Sequence, residues 1–520
     1  MASLPNKSFY LSFRVCCGIL NIFGTLTTLA ITSLYMPTTT EGYLKTLLSF
    51  CLAAMAFNET GTILAWINYK PIPSSTADAD LPFVTVVIPA YNESAFIKLA
   101  MDSVTHSDYP RPKLQVVVID DGSTDDTWEC MTLAALSLNK NGIACVTRRH
   151  RVNKGKRSAV CTGFRLAKGE MIVSLDSDSI LHPSAIRNLM VPLLKGDQVG
   201  GVAGHLAALN IEHKTLPRLL DVLFNTGGNI PRAAQSQAGS FVNILPGALS
   251  AFRASAVMPL LDSLCQTTFF GAPLRHGEDV ELTMGLLQAN WTTVYQSNAV
   301  VYTTVPETAV RTLLMYTRWE RSSYVYLCIG FFRMAFERVM ARLKKQPLDI
   351  GDQSHGCPES RDLSDDISVL KSQNLTQTIP LPYLLSSLYL LLNLVTTACS
   401  NPFLIILTVN LVRFTVSYPY MTPFLVGTMA IKSCLSGLLL VADAKQEDED
   451  VKDPTVCTGL QTSTTGRKQE NKELNPQSKR ARLAWQLQYT GLAGLFQTVL
   501  VSWSSIIALF TLTSQSWLTR

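Results

Sequence analysis

The feature that most constrains the fold of this chain is a short apolar run that stops at two carboxylates. Residues 171–179 read MIVSLDSDS, so Asp176 and Asp178 directly follow a stretch typical of a buried β-strand. In open α/β sheets, ligands bind at the carboxyl ends of the strands. Two hard oxygen ligands there suit Mg²⁺ or Mn²⁺, which would bridge to substrate phosphates. The alternative is a pair of solvated acids in a loop.

Apolar runs typical of strands also alternate with helix-like segments before this point. The strands are expected at 83–88, 114–119 and 143–147, and the helices at 96–105, 126–138 and 158–167. This alternation predicts an α/β domain with a Rossmann-like, doubly wound and mostly parallel sheet. Asp120 and Asp121 follow the second strand, so both acidic pairs are expected at one edge of the sheet.

Apolar stretches near the start of the chain predict attachment to a membrane. Hydrophobic residues make up 47% of the 520 residues and charged residues only 16%. Residues 15–35 carry no charge and are long enough to cross a bilayer, and residues 44–66 form a second, weaker run with Asn58 and Glu59. Flanking basic residues place both ends of this pair in the cytoplasm. A signal peptide is the alternative for the first run, but no clear small-residue cleavage site follows it.

The C-terminal part becomes apolar again after basic and polar segments. Residues 306–345 set Arg and Lys among apolar side chains, as in a helix lying in the headgroup plane or in a basic helix covering the globular domain. Residues 443–482 lack apolar periodicity and are expected to be a disordered cytoplasmic loop. Candidate spans lie at 381–398, 402–418, 420–441 and 489–512. A cytoplasmic loop requires one segment within 402–441 to be interfacial or re-entrant.

These patterns divide the chain into seven segments. They are an N-terminal transmembrane pair (1–70), the α/β domain (71–305), amphipathic interfacial helices (306–345), a polar linker (346–378), transmembrane segments (379–441), a disordered loop (442–484) and a C-terminal transmembrane helix (485–520). The 12 cysteines show no C-x-x-C spacing, which argues against a zinc site and a disulfide framework and fits a reducing, cytosol-facing domain. The net charge of +5 is too modest to indicate a nucleic-acid partner.

Six short motifs follow one another along the α/β domain and the helix after it. They are PAYNE (89–93), IDDGSTDD (119–126), NKGKR (153–157), DSD (176–178), GED (277–279) and RW (318–319). Each is weak alone, but their order is specific. With it, the chain resembles the family 2 glycosyltransferases with a GT-A fold, above all the processive membrane synthases of the hyaluronan and NodC chitin-oligosaccharide type, and more distantly cellulose synthase. The resemblance covers residues 83–326 by motif and the flanking spans by layout.

The resemblance implies a donor site for a UDP-sugar. Asp178, assisted by Asp176, would hold the Mn²⁺ or Mg²⁺ that neutralises the diphosphate leaving group. Asp121 matches the family's contact to uracil or ribose. The other implied donor residues are Asp120, Tyr91, Glu93, Lys154, Lys156 and Arg157. The alternative for the NKGKR stretch is an exposed basic turn.

The resemblance also implies a catalytic base and an acceptor site. Asp279, beside Glu278, would take the proton of the acceptor hydroxyl, although acids at a helix start are also routine caps. Arg318 would bind the diphosphate, and Trp319 would stack on the acceptor sugar. Gly247 lies in LPGALSAFR (245–253), which is similar to the family's acceptor-side segment.

Some positions depart from the family pattern. Met315 replaces the Gln of the Q-x-x-R-W motif, and Val280 replaces the Arg usual after the acid pair in the hyaluronan and NodC type. Cellulose synthase has a Cys near Ala248 and Leu249. These departures bear on the identity of the sugar more than on the reaction.

The predicted function is that of a multi-pass plasma-membrane enzyme with a cytosolic catalytic domain. It would polymerise UDP-GlcNAc, alone or alternating with UDP-GlcA, onto a growing polysaccharide and export the product through its membrane bundle, because a polar chain cannot cross hydrocarbon unaided. The resemblance leaves open a cellulose, mannan or poly-GlcNAc synthase, or a non-processive transferase to a lipid-linked acceptor. A rival class is a transporter or receptor with an inactive nucleotide-binding domain, which would not need Asp121, Asp178, Asp279 and Arg318 together. The oligomeric state is not indicated.

Overall fold

A mixed eight-stranded sheet is the centre of the computed structural model. The structure describes residues 42–325, except 75, 213, 270, 271 and 276, together with some positions in 12–26 and scattered positions between 435 and 511. The strands are β1 (Val84–Ala90), β2 (Leu114–Asp120), β3 (Ala144–Arg149), β4 (Met171–Leu175), β5 (Ser179–Leu181), β6 (Val199–Ala208), β7 (Leu249–Arg253) and β10 (Thr292–Thr303). A separate two-stranded ribbon consists of β8 (Thr268–Phe269) and β9 (Ala272–Pro273).

Two strands of the sheet, β7 and β5, run opposite to the others. The strand order is β3-β2-β1-β4-β7-β6-β10-β5. Strands β3, β2, β1 and β4 are parallel, as predicted, whereas β7 is antiparallel to both of its neighbours, and β5 is antiparallel to β10. Because β7 is reversed between β4 and β6, β6 and its parallel neighbour β10 run in the same direction as β1 to β4. The expectation of a mostly parallel sheet is therefore confirmed, with β7 and β5 as the antiparallel exceptions. Because β2, β1 and β4 lie side by side and run in the same direction, Asp120 at the end of β2 and Asp176 just after β4 emerge at the same edge.

Helices cover both faces of the sheet. They are α1 (Gly42–Asn68), α2 (Phe96–Thr105), α3 (Thr127–Lys140), α4 (Lys156–Leu166), α5 (Ala185–Lys195), α6 (Thr215–Phe224), α7 (Ile230–Gly239), α8 (Ala254–Val257), α9 (Leu261–Gln266), α10 (Glu278–Gln288) and α11 (Ala309–Ser322). A π-helical turn at Asn225–Asn229 joins α6 to α7.

Alternate side chains of the central strands enter two separate cores. In β1, Val86 and Ile88 pack in the core beneath α2, α3 and α5, whereas Val87 packs in the core with Phe164 of α4 and Leu220 of α6. Both faces of β1 are buried, so every one of its seven residues is buried. This burial on both sides explains why these strands read as continuous apolar runs rather than as alternating patterns.

The helix α1 coincides with the second predicted membrane span and contacts the α/β domain. It packs against α7, and Tyr69, just after its end, donates its hydroxyl hydrogen to the carbonyl of Tyr295 at 3.0 Å and accepts from the amide of Ser297 at 3.0 Å. In the portion of the chain that the structure describes, no helix is both long enough and apolar enough to cross a bilayer. The predicted linker at 346–378 lies outside the described residues, as do nearly all of the predicted spans after it, and the domain boundaries stay predictions.

Positions near the C-terminus form hydrogen bonds with two helices, α6 and α11. The fully buried Asp221 of α6 accepts from the amide of Ala208 at 2.7 Å and from Gln486 Nε2 at 2.6 Å. The buried Arg321 of α11 donates from Nε and Nη2 to Thr511 Oγ1, at 3.0 and 2.6 Å. Segments far apart in the chain are thus held to α6 and α11 by hydrogen bonds.

One disulfide bridge joins two helices on the same side of the sheet. Cys161 of α4 and Cys265 of α9 are 104 residues apart in sequence, and their Cα atoms are 6.6 Å apart. The sequence-based argument against disulfides is wrong at this pair. Spacing along the chain carried no signal for it, because the two helices are brought together only by the fold.

Candidate active site

The start of α4 gathers side chains from three of the predicted motifs. Lys156 Nζ lies 2.6 Å from Asp176 Oδ1, just after β4, and 3.2 Å from Glu278 Oε1, the first residue of α10. Gly247 lies against this group, because a Cβ atom there would be 2.8 Å from Lys156 Nζ. The ammonium group of Lys156 therefore lies between two carboxylates from different motifs. A side chain larger than that of Gly247 would collide with this ammonium group.

Charges within this group shift the pKa values of two adjacent acids, Glu278 and Asp279, in opposite directions. Burial alone would lower the pKa of Lys156, but Asp176, Glu278 and Asp279 together raise it. Burial opposes ionisation of Glu278 as well, yet Lys156 lowers its pKa. Burial and the charge of Glu278 raise the pKa of Asp279 to about 6, against the opposing effect of Lys156. Glu278 is therefore ionised at neutral pH, whereas Asp279 titrates close to it, as a general base should.

A glycine fixes where these two acids stand. Gly277 has a φ of 80°, a left-handed conformation that glycine adopts readily, and α10 begins at the next residue. Glu278 and Asp279 thus occupy the first turn, where the helix dipole favours negative charge. Asp279 Oδ1 accepts a hydrogen bond from the amide of the next residue, Val280, at 2.9 Å.

The carboxylate of Asp121 holds the basic loop that leads into α4. Its Oδ1 accepts from His150 Nδ1 at 2.7 Å and from the amide of Lys154 at 3.0 Å, and its Oδ2 accepts from the amide of Gly155 at 2.7 Å. Burial raises the pKa of Asp121, and these hydrogen bonds oppose that rise. Asp121 therefore sets the position of Lys154 directly and of Lys156 through the turn at Gly155.

The neighbouring Asp120 stabilises the predicted turn itself. Its Oδ1 accepts from the amide of Ser123 at 2.8 Å, and its Oδ2 pairs with Arg149 Nε at 2.9 Å. Gly122 has a φ of 77°, and a Cβ atom there would lie 2.8 Å from the backbone of Val152. The turn is thus packed tightly against the basic loop, which explains the glycine.

The PAYNE turn is hydrogen-bonded to the turn that follows β2. The amide of Glu93 donates to Thr127 Oγ1 at 2.8 Å, and Asn92 Oδ1 accepts from the amide of Thr124 at 2.9 Å. Glu93 is buried and Tyr91 is partly buried beside it. Both predicted nucleoside-side residues therefore lie next to the turn that carries Asp121.

Arg157 lies apart from the other predicted donor residues. It is 2% exposed, donates from Nη1 to the carbonyl of Leu264 at 3.0 Å and forms an ion pair with Glu281. These contacts place its guanidinium between α4, α9 and α10. The structure gives Arg157 a packing role, and the predicted contact of this residue with the donor has no support from its position.

Asp178 faces the end of β10 rather than Lys156. Its Oδ1 accepts from Ser179 Oγ at 3.3 Å and from Thr303 Oγ1 at 3.4 Å, and its carbonyl accepts from the amide of Thr304 at 3.2 Å. Asp176 and Asp178 are both partly exposed. The two acids of the motif are thus held by different neighbours at the same edge of the sheet.

Aromatic side chains surround the predicted acceptor residue. Trp319 of α11 is 40% exposed, and its ring centre lies 5.1 Å from that of Tyr316 and 6.2 Å from that of Phe224. Arg318 precedes it in the same helix. An aromatic face that is packed on its sides and open to solvent suits stacking on the apolar face of a sugar ring.

With this geometry described, comparison with known proteins identifies the domain. Residues 82–322 match the family model described as glycosyltransferase like family 2. They form a family 2 glycosyltransferase domain. The resemblance found in the sequence is confirmed, and the mixed α/β sheet of this glycosyltransferase domain is GT-A-like.

Bacterial relatives of the glycosyltransferase domain have named activities. An N-acetylglucosaminyltransferase of Azorhizobium caulinodans is 35% identical over 244 residues, which are 47% of this chain and 60% of that protein. A hyaluronan synthase of Streptococcus pyogenes is 32% identical over 260 residues, or 49% of this chain and 60% of that protein. The chain thus aligns with less than two thirds of either relative. Among solved structures, the mannosyltransferase PcManGT from Pyrobaculum calidifontis, in complex with GDP-Man and Mn²⁺, has a TM-score of 0.42 and 21% identity, covering 78% of this chain and all of that one.

The glycosyltransferase domain offers a limited set of metal ligands. Over the described positions, no group of three or more His, Cys, Asp or Glu side chains is arranged to hold a metal ion. Two partly exposed carboxylates, Asp176 and Asp178, nevertheless fit Mg²⁺ or Mn²⁺ when the remaining ligands are phosphate oxygens and water. The donor set therefore suits an ion that arrives with a diphosphate.

Sequence reasoning missed several residues of this site. His150 belongs to no motif, and only the fold places it against Asp121. Phe224 gave no signal, because it comes from a helix 95 positions before Trp319. Tyr316 was detectable in principle, since residues three apart on a helix share a face.

Proposed function

We propose that the chain transfers a sugar from a UDP-sugar to an acceptor hydroxyl with inversion at the anomeric carbon. The observation that carries this proposal is the group around Lys156, which brings Asp176, Glu278 and Asp279 to one place. A donor site needs cations and metal ligands, and an acceptor site needs a base. In this group, Lys156 and Asp176 provide the cation and a metal ligand, and Asp279 provides the base. These residues come from three separate motifs.

Asp279 acts as the general base in this proposal. Its pKa of about 6 means that it is mostly ionised at neutral pH yet still basic enough to accept the proton of the attacking hydroxyl. Glu278 stays ionised beside Lys156 and keeps the ammonium in place. One carboxylate on the acceptor side suffices for a single displacement with inversion.

The donor is held by the loop and turns on the other side of the group. Tyr91, Glu93 and the turn of Asp120 and Asp121 line the nucleoside side, and Lys154 and Arg318 supply positive charge for the diphosphate. Asp178 and Asp176 would hold Mn²⁺ or Mg²⁺, which would supply Lewis-acid stabilisation of the leaving group.

The preferred substrate is UDP-GlcNAc, alone or alternating with UDP-GlcA, polymerised by a multi-pass membrane enzyme that exports its product. The names of the two bacterial relatives support this choice of sugars. The apolar segments predicted at both ends of the chain, and the aromatic face of Trp319 with Phe224 and Tyr316, support a bilayer location and a polysaccharide acceptor. A cellulose, mannan or poly-GlcNAc synthase, or transfer to a lipid-linked acceptor, is the alternative.

Membrane vesicles that contain the full chain test the reaction and the sugar together. They are given Mn²⁺ and labelled UDP-sugars, singly and in pairs. High-mass labelled product is expected with UDP-GlcNAc, or only when UDP-GlcNAc and UDP-GlcA are both present. Asp279→Asn is expected to lower the transfer rate by about 10²- to 10⁴-fold, the usual contribution of a general base.

The matched control is Asp262→Asn. Asp262 is a surface acid, 83% exposed and paired with Arg165, and its change should leave transfer unaffected. Release of free UDP without labelled product contradicts the proposed polymerisation. Full transfer by Asp279→Asn excludes Asp279 as the base.

A further inference from the structure

A histidine outside all the motifs connects the two sides of the donor site. His150 follows β3, and its ring is only 11% exposed. Nδ1 lies 2.7 Å from Asp121 Oδ1, and Nε2 lies 3.1 Å from Thr162 Oγ1 on α4. The amide of His150 also donates to the carbonyl of Asp120 at 2.8 Å. The ring therefore stands between the turn after β2 and the helix that begins with Lys156.

The pattern of hydrogen bonds determines which groups donate. Thr162 gives its single hydroxyl hydrogen to the carbonyl of Ser158 at 2.9 Å, so its oxygen accepts from His150 Nε2. An ionised Asp121 can only accept, so Nδ1 donates to it. Each ring nitrogen of His150 therefore has its own partner, Asp121 for Nδ1 and Thr162 for Nε2.

Asp121 is oriented from two directions. The amides of Lys154 and Gly155 approach it from the basic loop, and His150 approaches from β3. Both loop amides lie on the segment that the carboxylate positions, so they move with that segment. His150 is the contact that links the carboxylate of Asp121 to the end of β3 and, through Thr162, to α4.

We propose that His150 is the positioning residue of the nucleotide half of the donor site: it fixes the carboxylate of Asp121 and, through it, the loop of Lys154 and Lys156. This inference rests on the proposed function, because it assumes that this half binds the UDP of the donor. It predicts that His150 acts on nucleotide affinity and leaves the chemical step to the group around Asp279.

Two amide variants separate this role from a merely structural one. In His150→Asn the amide nitrogen takes the place of Nδ1 and keeps a donor for Asp121. In His150→Gln the amide nitrogen takes the place of Nε2, keeps only the contact to Thr162 and leaves Asp121 without this donor. A structural role would make the two variants equally poor.

Binding of UDP and steady-state kinetics are measured on membranes that contain the full chain. His150→Gln is expected to raise the Kd for UDP and the KM for the UDP-sugar about tenfold, as for loss of a charge-assisted hydrogen bond, with kcat within about threefold of wild type. His150→Asn is expected to stay within about threefold in all three quantities. The control His106→Asn, at an exposed histidine that contacts the carbonyl of Asp102, should change none of them.

The outcomes separate this inference from the proposed function. Wild-type UDP affinity in His150→Gln, or equal losses in both variants, overturns the role of His150 while transfer by the wild type still stands. If the wild type binds UDP but transfers no sugar, the proposed function fails and the affinities still report on His150. Should the His150 variants not accumulate in membranes, Thr162→Val removes the acceptor for Nε2, and unchanged UDP affinity in that variant contradicts the proposal.

Discussion

At the scale of single residues, the lysine between two acids determines how the candidate site titrates. Lys156 contacts Asp176 and Glu278, and its charge lowers the pKa of Glu278 while only partly offsetting the raised pKa of Asp279. Adjacent acids with different pKa values are a recurring arrangement in enzymes, because one serves as a fixed charge and the other exchanges a proton.

This arrangement predicts that the enzyme loses activity at acidic pH. The pKa of Asp279 is raised to about 6, so the base becomes protonated as the pH falls through that value. We expect kcat to fall about tenfold per pH unit below 6, because the ionised fraction falls by that factor. The measurement is the pH profile of kcat at saturating UDP-sugar.

The variant Lys156→Met provides the internal check on this profile. Lys156 holds the pKa of Asp279 down, so its loss should move the acidic limit to higher pH as well as lower the rate. A wild-type limit near pH 4, the ordinary range of an aspartate, would show that Asp279 is not the titrating base.

Sequence motifs predicted much of this residue-level geometry. Lys156, Asp176, Glu278 and Gly247 were all proposed from the sequence, and the structure brings them together. The sequence could not distinguish the roles of Lys156 and Arg157, because they are consecutive residues at the start of α4 and differ only in the side of the helix from which they project. That phase turns Arg157 towards Glu281 and α9.

At the scale of elements, the strands up to β4 were predictable from the sequence and the later strands were not. Strands β1 to β4 begin within one residue of the expected positions, because burial on both faces produces apolar runs bounded by turns. Strand β7 is also buried, but LSAFR is short and contains Ser and Arg, so it was assigned to the acceptor segment. Its antiparallel direction depends on the long excursion through α6 and α7, which no local pattern encodes.

The bridge between α4 and α9 predicts a measurable difference in stability. It closes a loop of 104 residues, and a crosslink of that span restricts the unfolded chain. Cys265→Ser is expected to lower the unfolding temperature by several degrees under non-reducing conditions. The measurement is thermal unfolding with and without reductant, and reductant should remove the difference.

The control for this experiment is Cys130→Ser. Cys130 is a free, partly buried thiol on α3, so its change should have the same effect in both conditions. Equal unfolding temperatures for wild type and Cys265→Ser without reductant would show that the bridge does not form.

At the scale of the whole molecule, segments outside the glycosyltransferase domain are joined to it by polar contacts. Tyr69 ties the end of α1 to β10, Gln486 reaches Asp221 on α6, and Thr511 reaches Arg321 on α11. The sequence predicted both flanks as membrane segments but gave no sign of these contacts, since each partner lies more than 180 residues away.

The contact with Asp221 predicts that the C-terminal segment stabilises the domain. Gln486→Leu removes a hydrogen bond at 2.6 Å to a fully buried carboxylate, at a cost of about 2 kcal/mol. The expected result is a lower unfolding temperature of the full chain in detergent. Leu487→Ala, at a neighbouring side chain that is 40% exposed, should have little effect, and equal stability of both variants would contradict the prediction.

The ammonium group of Lys156 also bears on how quickly the enzyme can work. Because Lys156 is already paired with Asp176 and Glu278 in the folded protein, these charges are oriented during folding and need little rearrangement in each turnover. Such preorganisation lowers the activation barrier most in a site shielded from water. The rate-limiting step is then expected to be a step other than the chemical transfer, such as product release.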